Sequence, residues 1–462
     1  MKRYIAIILA VAMTSCGIYR PYERPEVSTD ALYGAEYEAA DSSSVADLRW
    51  EEFFTDSHLQ ALIRQGLEHN SDMQATHWRI KEAEATLKSA RLSYLPSFNL
   101  APSGGVSSFD GSKGSWTYSA PLSASWQIDI FGGITNAKRK AKALYAASKE
   151  YQQAVRTQLI AAIANYYYTL LMLDSQSEAT RLVAESLDSS AETMRAMMDG
   201  GMADAAGVAQ LEAAAYDARA RLLDIEHNIV AIESALCAIL GDAHHNIERG
   251  VLDGQQMPEE LSLGVPVSLL ANRPDVRMAE YSLMQAHYAT AAARSQLYPT
   301  LSLSGLLGWT NSVGSVVTNP GGLILSAAAS LTAPLFNGGK LRAQVRIAEA
   351  QQQEALLSFK QSLLNAGSEV NTALSQVQTA REKLTLRQGQ VEALKRASES
   401  TQLLMDYGTT TYLEVLTAQQ NLLAGQISAI SDRYDEIQGC ITLYIALGGG
   451  CEREESGSGG KE

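Results

Sequence analysis

Between Trp116 and Ile130 the chain alternates without a slip. Every even position is Trp116, Tyr118, Ala120, Leu122, Ala124, Trp126, Ile128 or Ile130, and every odd one is Thr117, Ser119, Pro121, Ser123, Ser125, Gln127 or Asp129. A period of two held for about 15 residues predicts a strand with one apolar and one polar face. Globular strands usually run about 5 to 6 residues, whereas a tilted strand that crosses a bilayer needs about 9 to 11. The length therefore points to a membrane barrel. A second segment alternates likewise, with Leu323, Leu325, Ala327, Ala329, Leu331, Ala333 and Leu335 opposed by Ser326, Ser330 and Thr332. A third sets Leu301, Leu303, Leu307 and Trp309 against Ser302, Ser304 and Thr310, and Phe98 to Val106 alternates less cleanly. Trp116, Trp126 and Trp309 fall near segment ends, where interface aromatics belong. The competing reading is a soluble sandwich with these aromatics in its core.

The period then changes. Asn136 to about Asp199 holds no proline or glycine and is rich in strong helix formers, which predicts a rod of roughly 90 Å. Lys340 to about Tyr407 repeats this, broken only by Gly367 and Gly389. Alanine dominates the apolar positions, as at Ala154, Ala161, Ala162 and Ala164, so the rods must pack along many neighbours to bury enough surface.

The chain is internally repeated. Ala90 to Pro96 returns as Ala293 to Pro299, Phe131-Gly-Gly answers Phe336-Asn-Gly-Gly, and Gly201 with Val208 answers Gly408 with Val415. The predicted layout is a first repeat over 56–241 and a second over 272–448, each running helix, two strands, long helix, helix. The strands lie at about 97–131 and 300–336, the long helices at about 136–199 and 340–407, and the last helices at about 205–240 and 411–447. Residues 242–271 link the repeats, and the tail 449–462 reads as disordered. Four spanning strands cannot close a barrel, because bacterial barrels start at about eight and an open edge in lipid is not viable. The chain must oligomerise if these strands span; two copies would supply eight strands and three would supply twelve.

Lys2 and Arg3, an apolar run from Ile5 to Met13, and Thr14-Ser15-Cys16 make residues 1–15 a signal peptide ending in a lipobox-like site. Cys16 is the expected lipidation site, opening a lipidated segment 16–55. A net charge of −14 and a pI near 5.1 argue against a nucleic-acid partner. Cys237, Cys440 and Cys451 show no metal-site or disulfide pattern. No hydrolase, metalloprotease, phosphate-loop or dinucleotide motif is present, so the chain reads as no enzyme and needs no cofactor, with catalytic and metal residues none. His244-His245 is the only histidine cluster and sits in a polar stretch. A filamentous coiled-coil scaffold, the other class the helices allow, is disfavoured by the strands and the repeat.

Three motifs then resemble one family, the TolC-like outer-membrane efflux proteins, in the OprM/NodT lipoprotein branch. They are Trp50-Glu-Glu-Phe-Phe-Thr-Asp56 with Leu59, Leu62, Ile63 and Asn70; Asn272-Arg-Pro-Asp-Val-Arg277 with Glu280; and Pro334-Leu-Phe-Asn-Gly-Gly-Lys340. The resemblance implies an α+β membrane protein: a homotrimer with a 12-stranded outer-membrane barrel, four strands per chain, continued by a long α-helical periplasmic barrel and an equatorial girdle. It implies a passive duct exporting drug-like or toxic small molecules, working with a periplasmic adaptor (membrane fusion) protein and an inner-membrane pump of the proton-driven RND type. Ducts for type I protein secretion or metal-ion efflux are the alternatives within the family. The protein would lie in the outer membrane, lipid-anchored, with a large periplasmic extension.

Pro274 and Asp275 read as a helix start, and Gly338 and Gly339 as the turn from strand to helix. The resemblance places the periplasmic aperture at the helix tips, Gly408 to Gln419 and Gly200 to Asp204. There Leu413 matches the family's axial leucine, and Thr417 stands where an aspartate is expected. Glu414 is the nearest carboxylate, and Tyr412 and Asp204 complete the candidate set.

Overall fold

A computed structural model describes residues 20–25, 48–108, 110–111, 113–257, 273–313, 316–407 and 409–450. The signal peptide, Cys16, Asn272, Gly408 and the tail from Cys451 lie outside the described residues. The elements are α1 (Trp50–Phe53), α2 (Ser57–His69), α3 (Ser71–Leu92), β1 (Ser97–Leu100), β2 (Ser103–Ser107), β3 (Ser115–Ile128), α4 (Gly133–Asp199), α5 (Ala205–Leu240), a 3-10 turn (Leu252–Gly254), α6 (Pro274–Ser295), β4 (Thr300–Val313), β5 (Val316–Thr332), α7 (Lys340–Asp406) and α8 (Tyr412–Ala446). The chain divides into two compact units, one built on residues 78–150 and 277–362, the other on 151–276 and 363–450 with 48–77.

The first unit carries an antiparallel sheet in the order β1-β3-β4-β5, with β2 also on β3. β1 and β2 are one strand track with a gap: Leu100 pairs with Leu122, Ser103 pairs with Ser119, and the register runs unbroken between them. Pro102 and Pro121 face the gap, and neither has an N–H to give a ladder. Phe98 to Val106 alternates poorly because Pro102, Gly104 and Gly105 leave the pleat few side chains to sort. Gly308 lies opposite Pro121, where a Cβ would come within 2.7 Å of the proline Cα. At the far end a bulge between Thr310 and Ser312 is sealed by Asn311, whose Oδ1 accepts from Tyr118 N at 2.7 Å and whose Nδ2 donates to Trp116 O at 2.9 Å.

Register keeps the faces apart. Leu122, Leu307 and Leu325 form one rung, and Ile128, Leu301 and Leu331 another, while Ser125 sits beside Ser304 and Ser302 beside Ser330. The apolar face is bare, with Trp116 72%, Leu325 78% and Leu331 67% exposed, so these aromatics and leucines form no globular core. Residues 20–25 lie along α6 in the same unit. Tyr22 meets His287 edge-on at 5.9 Å, and Arg24 pairs with Glu280 at 3.4 Å and covers the Phe359 ring at 5.7 Å.

The second unit is helical. It holds the later parts of α4 and α7, each a helix of 67 residues in all. α7 runs through Gly367 and Gly389 without a break: a helical glycine costs only about 1 kcal/mol against alanine, which the long run of strong helix formers on either side tolerates, and Gly367 is buried while Gly389 faces open space. Phe53, Phe54 and Tyr444 form an aromatic core, with Phe53 stacked on Tyr444 at 4.2 Å and Tyr444 donating to Leu48 O at 2.9 Å. The opening motif is therefore a plug of buried rings.

Candidate functional site: helix tips, junctions and the bare sheet face

Both helix pairs turn the same way. Met202 N donates to Met197 O at 2.8 Å, and Thr409 N donates to Leu404 O at 2.9 Å, each closing a long helix before its partner starts. Asp204 caps α5 by accepting from Gly207 N at 2.8 Å. Thr411, at the same place before α8, makes no side-chain cap; instead the Thr410 hydroxyl bonds the Glu414 carboxylate.

Beyond the turns the pairs become a coiled coil. Leu187, Ala191 and Met194 of α4, Val208, Leu211 and Ala215 of α5, and Leu416 and Leu423 of α8 form one buried cluster. Tyr412 packs against it, its ring seated on Gly207 and its hydroxyl donating to Gln210 Oε1 at 3.1 Å. Tyr412, Val415, Leu416 and Gln419 face inward, so the helical period turns Leu413 and Thr417 outward together. Leu413 is 55% exposed, and Thr417 is exposed with its hydroxyl bonded to Leu413 O at 2.7 Å. Glu414 is exposed too. The structure thus brings Leu413, Glu414 and Thr417 onto one surface at the start of α8, while Tyr412 and Asp204 hold the tips in shape.

Of the junction residues, Gly338 and Gly339 have φ of +64° and +78°, the left-handed region that needs glycine. At the first repeat's junction Gly132 does, at +73°, and Gly133 does not, and Asp129 secures that turn by accepting from Ile134 N at 3.0 Å and Thr135 N at 2.8 Å. Leu335 and Phe336, beside the second junction, are 95% and 90% exposed, whereas Phe131 stacks on Tyr298 at 4.9 Å.

Pro274 opens α6 and Asp275 lies in its first turn. The residue that sequence reading passed over is Arg273. It is 7% exposed, grips Asp275 through two bonds of 3.0 and 2.9 Å, reaches Glu369 of α7 at 2.5 Å, and donates to Ala446 O at the end of α8 at 2.8 Å. A cation at the last carbonyls of one helix and an acid at the start of another are each favoured by the helix dipoles. An arginine directly before a helix start is unfavourable by itself, and that was the available signal.

His244 Nδ1 meets Ser234 Oγ at 3.1 Å, and His245 Nδ1 meets Ala243 O at 3.1 Å, so the two rings look to different partners. Among the described residues no three His, Cys, Asp or Glu side chains are placed to hold a metal ion. Among them, too, no helix is long and apolar enough to cross a membrane.

A family model described as "Outer membrane efflux protein" matches residues 62–242 and 265–449. The cation efflux system protein CusC of Escherichia coli K12 is 25% identical over 458 residues, covering 97% of this chain and 99% of that protein. The pyoverdine export outer membrane protein OpmQ of Pseudomonas aeruginosa is 29% identical over 442 residues, 92% of each. Among solved structures, the outer-membrane channel OprN matches with a TM-score of 0.82 at 25% identity, over 93% of this chain and 98% of that one. The open-state MtrE channel of Neisseria gonorrhoeae matches in fold with a TM-score of 0.84 at 24% identity, over 93% and 98%.

Proposed function

The chain belongs to the outer membrane efflux protein family, and from that premise we propose that it is the passive outer-membrane duct of a tripartite efflux system, three copies closing one channel. The observation that carries this reading is the sheet with one bare apolar face and two open edges. In lipid an open edge leaves backbone donors and acceptors unpaired at several kcal/mol each, so β5 of one copy needs the β1-β2 track of another. Three copies of four tracks give twelve strands, within the range of single-pore bacterial barrels. The polar face, Ser125, Ser304 and Ser302 among them, would then line water.

The path is completed by a periplasmic adaptor and an inner-membrane pump, of the proton-driven RND type. Relatives of similar identity are named for cations, pyoverdine and toluene. Cargo that varies over one duct architecture argues that selection lies in the pump, and that this chain passes small molecules without recognising them. Cys16 would anchor the N-terminus in the outer membrane, a second attachment beside the barrel. At the helix tips Leu413 is the axial constriction, with Glu414 the nearest charge and Thr417 neutral, so three copies place fewer acids on the axis than an aspartate at that position would.

Reconstitution of the purified full-length protein in a planar lipid bilayer tests this. A low, mostly closed conductance is expected, and Leu413→Ala should raise it several-fold. No conductance from a protein shown to be oligomeric would overturn the duct, and an unchanged conductance in Leu413→Ala would remove Leu413 from the gate.

A further inference from the structure

The internal repeat, carried over to the helices, assigns a partner to a surface the single chain leaves bare. α4 and α7 have the same length, and one constant offset takes Gly133 to Lys340, Met202 to Thr409 and Ala205 to Tyr412. Under that offset Leu416, Leu423, Ile430 and Ile437 of α8 correspond to Ala209, Tyr216, Leu223 and Val230 of α5. These two stripes have opposite fates. Leu416, Leu423 and Ile437 are 8%, 8% and 0% exposed, whereas Tyr216, Leu223 and Val230 are 66%, 66% and 50% exposed. A heptad-spaced apolar stripe of this length is the seam of a coiled coil, and among the described residues α5 leaves it exposed, with Arg219 of the same helix over the Tyr216 ring at 5.8 Å.

We propose that the α5 stripe is the copy-to-copy seam of the helical barrel, and that it docks on α7 and α8 of the next copy as α8 docks on α4 and α5 within the chain. The proposal rests on the oligomeric duct described above and adds its register. Within the chain, α8 meets α4 through Gln176 Nε2 donating to Ser431 Oγ at 3.3 Å and through the Thr169 and Tyr434 hydroxyls at 3.0 Å. Moved by the same offset, Gln176 and Ser431 become Lys383 and Asp224, and Thr169 and Tyr434 become Gln376 and His227. The first translated pair is a cation opposite an anion, and the second is an amide opposite an imidazole. Independently, α7 and α8 carry a groove of about 680 Å³ lined by Gln376, Thr379, Lys383 and Asp435, where the neighbour's α5 would lie. Leu386, 77% exposed on α7, takes the place that Ala179 holds against the buried cluster.

The test is thiol cross-linking of the full-length protein in its native membrane with a short bismaleimide, after the mass in detergent has established the oligomer. Asp224→Cys with Lys383→Cys should give dimer and trimer bands in high yield, and either single variant should give none. Asp217→Cys with Lys383→Cys, displaced by one heptad or about 10 Å, should give at most a tenth as much. His227→Cys with Gln376→Cys is a second pair one turn away, which decides the matter if the first variant does not assemble. An intact oligomer with no product from either pair, or with equal product from the displaced pair, overturns the register and leaves the duct standing. A protein that is monomeric throughout overturns both.

Discussion

Replacing Gly207 by alanine perturbs the tip without altering any exposed residue. A Cβ at Gly207 would lie 2.9 Å from Tyr412 Cε1 and 3.1 Å from Met194 Cε. The methionine methyl ends a flexible side chain and can swing aside. The tyrosine ring is held by Gln210 at its hydroxyl and by the first turn of α8 at its backbone, so it moves only if the start of α8 moves. Overpacking of this kind costs about 1 to 3 kcal/mol, and the helical preference of alanine over glycine offsets up to about 1. With the full offset about 0 to 2 kcal/mol remains, a shift of up to about thirtyfold in the equilibrium between seated and displaced Tyr412. Leu413 is the next residue, so bilayer recordings of Gly207→Ala should show an open probability raised by about that factor. The fully open conductance should stay the same, because nothing on the exposed surface of the tip changes. Tyr412→Leu in the Gly207→Ala background, which removes the clashing ring edge, should return the open probability most of the way. An open probability equal to that of the unaltered protein, together with a lowered melting temperature, would place the strain in the coiled coil alone and separate Tyr412 from the gate.

Other expectations follow from single contacts. Arg273→Met should lower stability by about 1 to 3 kcal/mol, since Ala446 O loses its buried donor while Asp275 and Glu369 stay solvated, and Arg273→Lys should recover only part because lysine cannot make the paired bonds; thermal unfolding followed by helical circular dichroism reads both. Burial opposes the Asp56 charge, but Tyr167 at 2.7 Å, Gln255 at 2.8 Å and the backbone N–H of His58 outweigh it and hold its carboxyl below the usual range. A depressed pKa gives stability above the ordinary aspartate value of about 3.9 that is lost as pH falls through the folded value, so melting temperatures should drop below about pH 4 and Asp56→Asn should flatten part of that drop. Gly338→Ala and Gly339→Ala meet no atom within 4 Å and should each cost about 1 to 2 kcal/mol through backbone strain alone, whereas Gly322→Ala, equally open but without a positive φ, should be nearly neutral in the same melts.

How far the sequence revealed this molecule depended on how local each signal was. β3 was legible because its alternation survives all 14 residues and its side chains sort by pleat alone. The β1-β2 track was not, because Pro102, Gly104 and Gly105 carry almost no pattern and Pro121 comes beside the gap only after pairing. Gly367 and Gly389 looked like breaks for the opposite reason, a weak local preference overruled by the helix formers on both sides of each. At the tips, the spacing of Tyr412, Leu416, Gln419 and Leu423 already set Leu413 off the buried stripe. The seat of Tyr412 on Gly207 needed the fold, since it joins residues from different repeats. Arg273 was hidden by its neighbours: the proline and the acid explain a helix start by themselves, and only the structure brings Glu369 and Ala446 to the same guanidinium.

The central claim is that one face of the sheet meets lipid and the other meets water, and single cysteines on adjacent residues test it most directly. In intact outer membranes, Ser326→Cys, Ser123→Cys and Ser304→Cys should react with a membrane-impermeant maleimide. Leu325→Cys, Leu122→Cys and Leu303→Cys should resist it and yield instead to a lipid-soluble reagent. Equal labelling of both sets by the impermeant reagent, or the reverse pattern, would contradict the barrel and with it the duct.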